Sequence, residues 1–196
     1  MCDRGGEMRF ACRTKADLRM DVVAHGLWGG ALFCPRGRKM FLIAVLLGMA
    51  PDLLSFGAFH VTRPGWIVGR LAGEISGPPP FALLPAYVFY AYNVTHSLVV
   101  WSAVFFLLWR LRKRPPWLLG AWALHILCDI PTHGADYFPT PFLWPLPTPF
   151  VDGVSWATPE FLAGNYLCLV LVYGGLFFYQ RRRTGLREAK KGKNLI

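Results

Sequence analysis

At 196 residues the chain is long enough for one domain, but 54% of its residues are hydrophobic and only 16% are charged. That balance excludes an ordinary soluble domain. The formal net charge of +10 would suggest nucleic acid in a soluble protein; here the basic residues stand at the ends of apolar runs, with no aromatic platform or reading helix, which excludes nucleic acid as a partner. The five cysteines form no CxxC pair, so neither a zinc ribbon nor a redox centre is expected.

In chain order, residues 1–20 form a polar leader with no apolar stretch long enough for a signal peptide. Arg4, Arg9, Arg13, Lys15 and Arg19 oppose translocation of this leader. One reading therefore has translation start at Met20, with the leader an artefact of gene calling. Intact-mass measurement of the natively expressed protein tests it. Residues 21–180 then form a single helical membrane domain, and residues 181–196 a basic cytoplasmic tail suited to anionic lipid headgroups.

Asp21 to Cys34 is apolar and rich in small residues, with Gly26, Gly29 and Gly30, and is expected to be a short N-terminal membrane helix. Four further apolar runs follow, centred on Lys39–Phe56, Phe81–Trp109, Pro116–Ile130 and Phe161–Tyr179; the first and last are near the length of about 20 residues that a bilayer core requires, the second is longer, and the third is short but flanked by apolar residues. Arg36, Arg38 and Lys39, then Arg110 to Arg114, then Arg181 to Arg183 all fall on one side if each run crosses once. Basic clusters of this kind mark the cytoplasmic side. The connections at 57–80 and 131–160 are rich in Pro, Gly and aromatic residues and are expected to be irregular extracytoplasmic caps. The expected fold is thus an all-α integral membrane protein of about four transmembrane helices plus the short N-terminal one. The expected location is the cell (inner) membrane, multi-pass, with the C-terminus cytoplasmic.

Ionisable groups inside a bilayer are costly and usually functional. His25, Asp52, His96, His125 and Asp129 each lie 11 to 15 residues from the basic cluster bounding their own segment. At the helical rise this is roughly 17 to 22 Å, so four segments bring imidazole and carboxylate groups to one depth. His125 and Asp129 share a helical face. These residue types suit a divalent metal such as zinc or manganese, and a dication neutralises carboxylates that would otherwise be expensive to bury. Each residue also has a plainer reading: His96 as a hydrogen bond between helices, Asp52 after Pro51 as a cap, His125 and Asp129 as an internal salt bridge. The shared depth is what favours a metal. His133, after the helix-breaking Pro131, is a further candidate ligand, and Thr95 and Ser97 are candidates to orient His96. His60, Asp136 and Asp152 are expected to be solvated or structural.

The pieces AHGLWGGAL (His25), GMAPDLL (Asp52), YNVTHSLVVW (His96) and LHILCDIPTHGADYFPTPFLWPLP (His125, Asp129) occur in an order that resembles the YdjM-like (LexA-regulated type) family of membrane-bound, metal-dependent hydrolases. The resemblance covers roughly residues 21 to 147. The family pattern PDxDH reads Pro51-Asp52-Leu53-Leu54-Ser55 here, and HRGxTHS reads Ala91-Tyr92-Asn93-Val94-Thr95-His96-Ser97. These departures lean toward one metal rather than two, with His133 as a substitute ligand, or toward a divergent branch with altered activity. The resemblance implies a hydrolase in which His25, His96, His125 and a carboxylate hold the metal, and whichever of Asp52 and Asp129 is not a strong ligand is the general base. Its expected substrate is a lipid, a lipid-linked group or another amphipathic ester or phosphoester. The alternatives are a non-catalytic protein whose polar layer binds a cation for transport, or one whose layer only fixes helix packing. The halves of the spans nearest the basic clusters, such as Leu98 to Trp109, are almost wholly apolar, which disfavours transport.

Overall fold

The computed structural model describes residues 20–75, 77–156 and 158–193. The start of the polar leader, residues 1–19, lies outside the described residues. The described residues form helices joined by irregular segments, with no strand among them.

Helix α1 spans Met20–Phe33 and packs along α2, Arg38–Asp52. Small residues set how closely they approach. A Cβ on Gly48 would lie 2.6 Å from the His25 carbonyl oxygen, and one on Gly29 would lie 2.8 Å from that of Ala44. This is the small-residue contact by which apolar helices associate without a hydrophobic driving force between them. Helix α2 does not stop at Pro51-Asp52. It passes through one π-helical turn, Leu53–Gly57, into α3, Ala58–Thr62, giving a continuous 25-residue helix, Arg38–Thr62. The plainer reading of Asp52 as a cap is therefore the one that fails, since Asp52 makes no side-chain cap bond and the helix continues past it. Pro51 costs one backbone bond, the widened turn absorbs the strain, and Ser55 Oγ donates to the Pro51 carbonyl at 2.9 Å.

Part of the expected irregular cap at 57–80 is also helical. After α3, helix α4 covers Pro64–Leu71, with proline in its first turn, where the missing N–H would be unpaired in any case. The apolar run Phe81–Trp109 is two helices rather than one: α5, Ala86–Thr95, and α6, Leu98–Arg112, meet at a 60° bend. Ser97 makes the break. Its Oγ accepts from the N–H groups of Val99 and Val100, both at 3.1 Å, and so restarts the helix as its N-cap. Helix α7, Gly120–Thr132, packs against both α1 and α2. Residues 133–156 are irregular, as expected.

Helix α8 runs Pro159–Lys193 and leans on α1. Trp28 Nε1 donates to Asn165 Oδ1 (2.8 Å), Tyr173 Oη to the Leu27 carbonyl (2.7 Å) and Gln180 Nε2 to that of Cys34 (3.3 Å). Val170, Leu171, Phe177 and Phe178 on this helix are exposed and apolar, a surface that water does not favour and hydrocarbon does. Two helices, Arg38–Thr62 and Pro159–Gly185, are long and apolar enough to cross a membrane, and the bent pair α5–α6 makes a third if it counts as one span.

The buried residues fall into two clusters. Phe33, Ala44 and Ala121 pack near the basic ends of α1, α2 and α7; Phe59, Leu84, Val88, Tyr92 and Phe138 pack at the opposite end. The polar layer lies between them.

Candidate metal centre

Four elements converge on this layer. Helix α1 brings His25, α2 brings Asp52, the break between α5 and α6 brings His96, and α7 brings His125 and Asp129. All five residues grouped by depth come together, and His133 joins them. His25, His96, His125 and Asp129 are each no more than 4% exposed. Asp52 and His133 form the rim, at 15% and 14%.

The backbone fixes which nitrogen of each central imidazole faces inward. His125 Nδ1 lies 2.7 Å from the Gly48 carbonyl oxygen, and His96 Nδ1 lies 3.0 Å from that of Tyr92. A carbonyl only accepts, so each Nδ1 carries the proton and each Nε2 presents a lone pair. The Tyr92 ring stacks on His96 with centroids 3.9 Å apart, and Tyr92 Oη donates to the Phe138 carbonyl at 2.9 Å. Thr95 and Ser97 support His96 from either side. The Thr95 carbonyl accepts from Trp122 Nε1 at 2.6 Å, and Ser97 Oγ donates to the Trp144 carbonyl at 2.5 Å. Leu98 N donates to the Phe142 carbonyl at 2.9 Å, so the proline-rich cap is tied to the helix break.

The inward atoms are crowded in a particular way. His96 Nε2 and His125 Nε2 are 3.1 Å apart, and Asp129 Oδ2 is 3.3 Å from the first and 3.2 Å from the second. Three donor atoms bound to one tetrahedral zinc at about 2.0 to 2.1 Å stand about 3.3 to 3.4 Å from one another, so the triangle matches one face of such a site. Asp52 Oδ1 is more distant, at 3.4 Å from His96 Nε2 and 3.8 Å from His125 Nε2. His25, Asp52 and His125 also bring one donor atom each within 4.8 Å of one another. Neither oxygen of the buried Asp129 accepts a hydrogen bond of good geometry, an expensive arrangement for a carboxylate unless a cation is its partner. The donor set therefore fits a divalent cation.

The other candidates stand apart. His60 Nδ1 donates to the Phe56 carbonyl at 2.7 Å within its own helix. Asp136 and Asp152 are exposed, and Asp152 Oδ1 accepts from the Ala135 N–H at 3.0 Å. Both orienting carbonyls, Gly48 and Tyr92, were invisible to sequence reasoning, since backbone oxygens carry no residue signature. Compared with known proteins, the chain matches no family model, no curated protein and no solved structure.

Proposed function

We propose that this chain is a multi-pass protein of the cell (inner) membrane that hydrolyses a lipid, lipid-linked or other amphipathic ester or phosphoester at the buried histidine–aspartate layer. The observation that carries the reading is the triangle of His96 Nε2, His125 Nε2 and Asp129 Oδ2, with edges of 3.1 to 3.3 Å and both imidazole lone pairs turned inward. These three atoms are the ligands of the metal, for which imidazole and carboxylate donors favour zinc, with manganese next. A divalent cation held there supplies a Lewis-acid centre and makes a water nucleophilic near neutral pH.

The chain's own groups do the rest. Asp52 stands at the partly open side of the triangle and is the general base, taking the proton of the attacking water and returning it to the leaving group. The Gly48 and Tyr92 carbonyls hold the histidine rings in their tautomer and orientation. The aromatic wall of Tyr92, Phe56 and Phe138 limits water to the reacting molecule. Asp52 lies on a helix apolar enough to cross a membrane, which favours an amphipathic substrate.

The topology we infer has four crossings, by α2–α3, the bent α5–α6 pair, α7 and α8, with α1 as the short N-terminal membrane helix. It puts the basic clusters at Arg36, Arg110 and Arg181 all on one side, the pattern that marks a cytoplasmic face. The YdjM-like motif pieces coincide with the converging residues, which supports membership of that hydrolase family.

The test is elemental mass spectrometry on protein purified in detergent without chelator, beside a His125→Ala/Asp129→Ala variant, with hydrolysis of lipid esters and phosphoesters followed on both. At least one equivalent of metal in the wild type is expected, lost in the variant together with hydrolysis. A monodisperse wild type that holds no metal after resupply refutes the reading and leaves a packing layer. Cation flux through proteoliposomes without hydrolysis replaces it with transport.

A further inference from the structure

The carboxylate of Asp129 faces different histidines with its two oxygens. Oδ2 points to His96 and His125, whereas Oδ1 lies 2.9 Å from His25 Nε2 and 3.7 Å from His133 Nε2. The three-ligand set around Oδ2 does not use Oδ1, which is also buried and whose near neighbours are these two imidazoles.

His133 sits beyond the end of α7, in extended backbone, where a side chain would ordinarily be free to face solvent. It is instead held. Gly153 N donates to the His133 carbonyl at 2.9 Å, Val154 N to that of Pro131 at 2.9 Å, and Trp156 N to that of Thr132 at 3.1 Å. A Cβ on Gly153 would lie 2.2 Å from the Pro131 carbonyl oxygen, so the clamp closes only with glycine at that position. Three consecutive backbone bonds are thus spent on a turn whose one chemically active side chain is His133.

We propose that Asp129 is a bridging carboxylate, and that Oδ1, His25 Nε2 and His133 Nε2 form a second divalent-cation subsite beside the first. This rests on the metal centre proposed above and extends it. The 2.9 Å separation of His25 Nε2 and Oδ1 matches adjacent ligands of a six-coordinate cation at about 2.1 Å, whose neighbouring donors stand about 3.0 Å apart. His133 is more loosely placed, so the second ion binds more weakly than the first. Two cations on one carboxylate stand about 3.5 to 4 Å apart, the spacing that clamps the attacking and leaving oxygens of a displacement at phosphorus. Charge names the substrate class. Asp52 and Asp129 neutralise one dication, a second leaves surplus positive charge in a poorly solvated layer, and an anionic phosphoester balances it where a neutral carboxylic ester does not.

The experiment loads detergent-purified wild type, His133→Ala, His133→Gln and the control His60→Ala with manganese. It counts the metal by elemental mass spectrometry and records electron paramagnetic resonance spectra, with size-exclusion chromatography to establish that each is folded. Two equivalents with a spin-coupled signal are expected in the wild type and in His60→Ala, and one equivalent with an uncoupled signal in both His133 variants. One uncoupled equivalent in the wild type, or two coupled equivalents in folded His133 variants, overturns the second subsite and leaves the first intact. No manganese in a folded wild type overturns the metal centre itself.

Discussion

Gly48 joins the packing of the helices to the chemistry of the layer, so changing it to alanine tests both at once. The added Cβ would lie 2.6 Å from the His25 carbonyl oxygen and 3.2 Å from the Gly26 Cα. Both neighbours are backbone, so no side chain can swing aside. Ordinary contact is about 3.5 Å, so α1 and α2 must part by about 1 Å. Overpacking of this kind costs about 1 to 3 kcal/mol. The same carbonyl group, Gly48 O, fixes the His125 ring at 2.7 Å, and His25 rides on the helix that is displaced. Misplacing such an orienting group costs about 10- to 100-fold in metal affinity. The assay is thermal unfolding in detergent together with metal retained after dialysis against graded free zinc. The control is Gly174→Ala on α8, where an added Cβ meets nothing within 4 Å and neither quantity should move. A Gly48→Ala protein with wild-type unfolding temperature and wild-type zinc affinity would show that the close approach does not position the centre.

Asp52→Asn should keep at least one equivalent of metal while lowering kcat by about 10²- to 10⁴-fold, the contribution of a general base; loss of all metal would make Asp52 a ligand instead. Ser97→Ala removes a helix N-cap and the tie to the Trp144 carbonyl, and should cost about 1 to 2 kcal/mol of stability by thermal unfolding together with about 10- to 100-fold in metal affinity. In spheroplasts, Val151→Cys should react with an impermeant maleimide, while Arg114→Cys and Arg183→Cys should react only after lysis. Labelling of Arg114→Cys in intact spheroplasts contradicts the topology.

The centre was more legible in the sequence than the fold. Ionisable residues are rare enough in apolar segments that His25, Asp52, His96, His125 and Asp129 announce themselves, and counting from the basic clusters gives them one depth. What that count could not supply is direction: it does not say that both Nε2 atoms turn inward, because the groups that turn them are main-chain carbonyls. The helix break at His96 was missed for a different reason. Composition is equally apolar on both sides, so Phe81–Trp109 reads as one run, and the only local signal is a serine placed to cap the helix that follows it. At Pro51 the plainer of two readings fails. Proline predicts an end, but one π-helical turn carries the chain past it and leaves Asp52 within a long helix, facing its partners.

The residues that meet in this layer are made far apart in time. The bond from His125 to Gly48 joins positions 77 residues apart, an interval of about 4 to 15 s at usual rates of synthesis. During that interval α1 and α2 already exist, with His25 and Asp52 on them and without the groups of α7 that complete the set. In the topology proposed above, a nascent chain has to shelter an acid and an imidazole in the insertion machinery, or in a water-lined pocket, until α7 arrives. If the proposed metal centre forms, its loading cannot precede that arrival, and the order in which the helices are made, rather than metal supply, then sets the earliest moment at which the centre can exist.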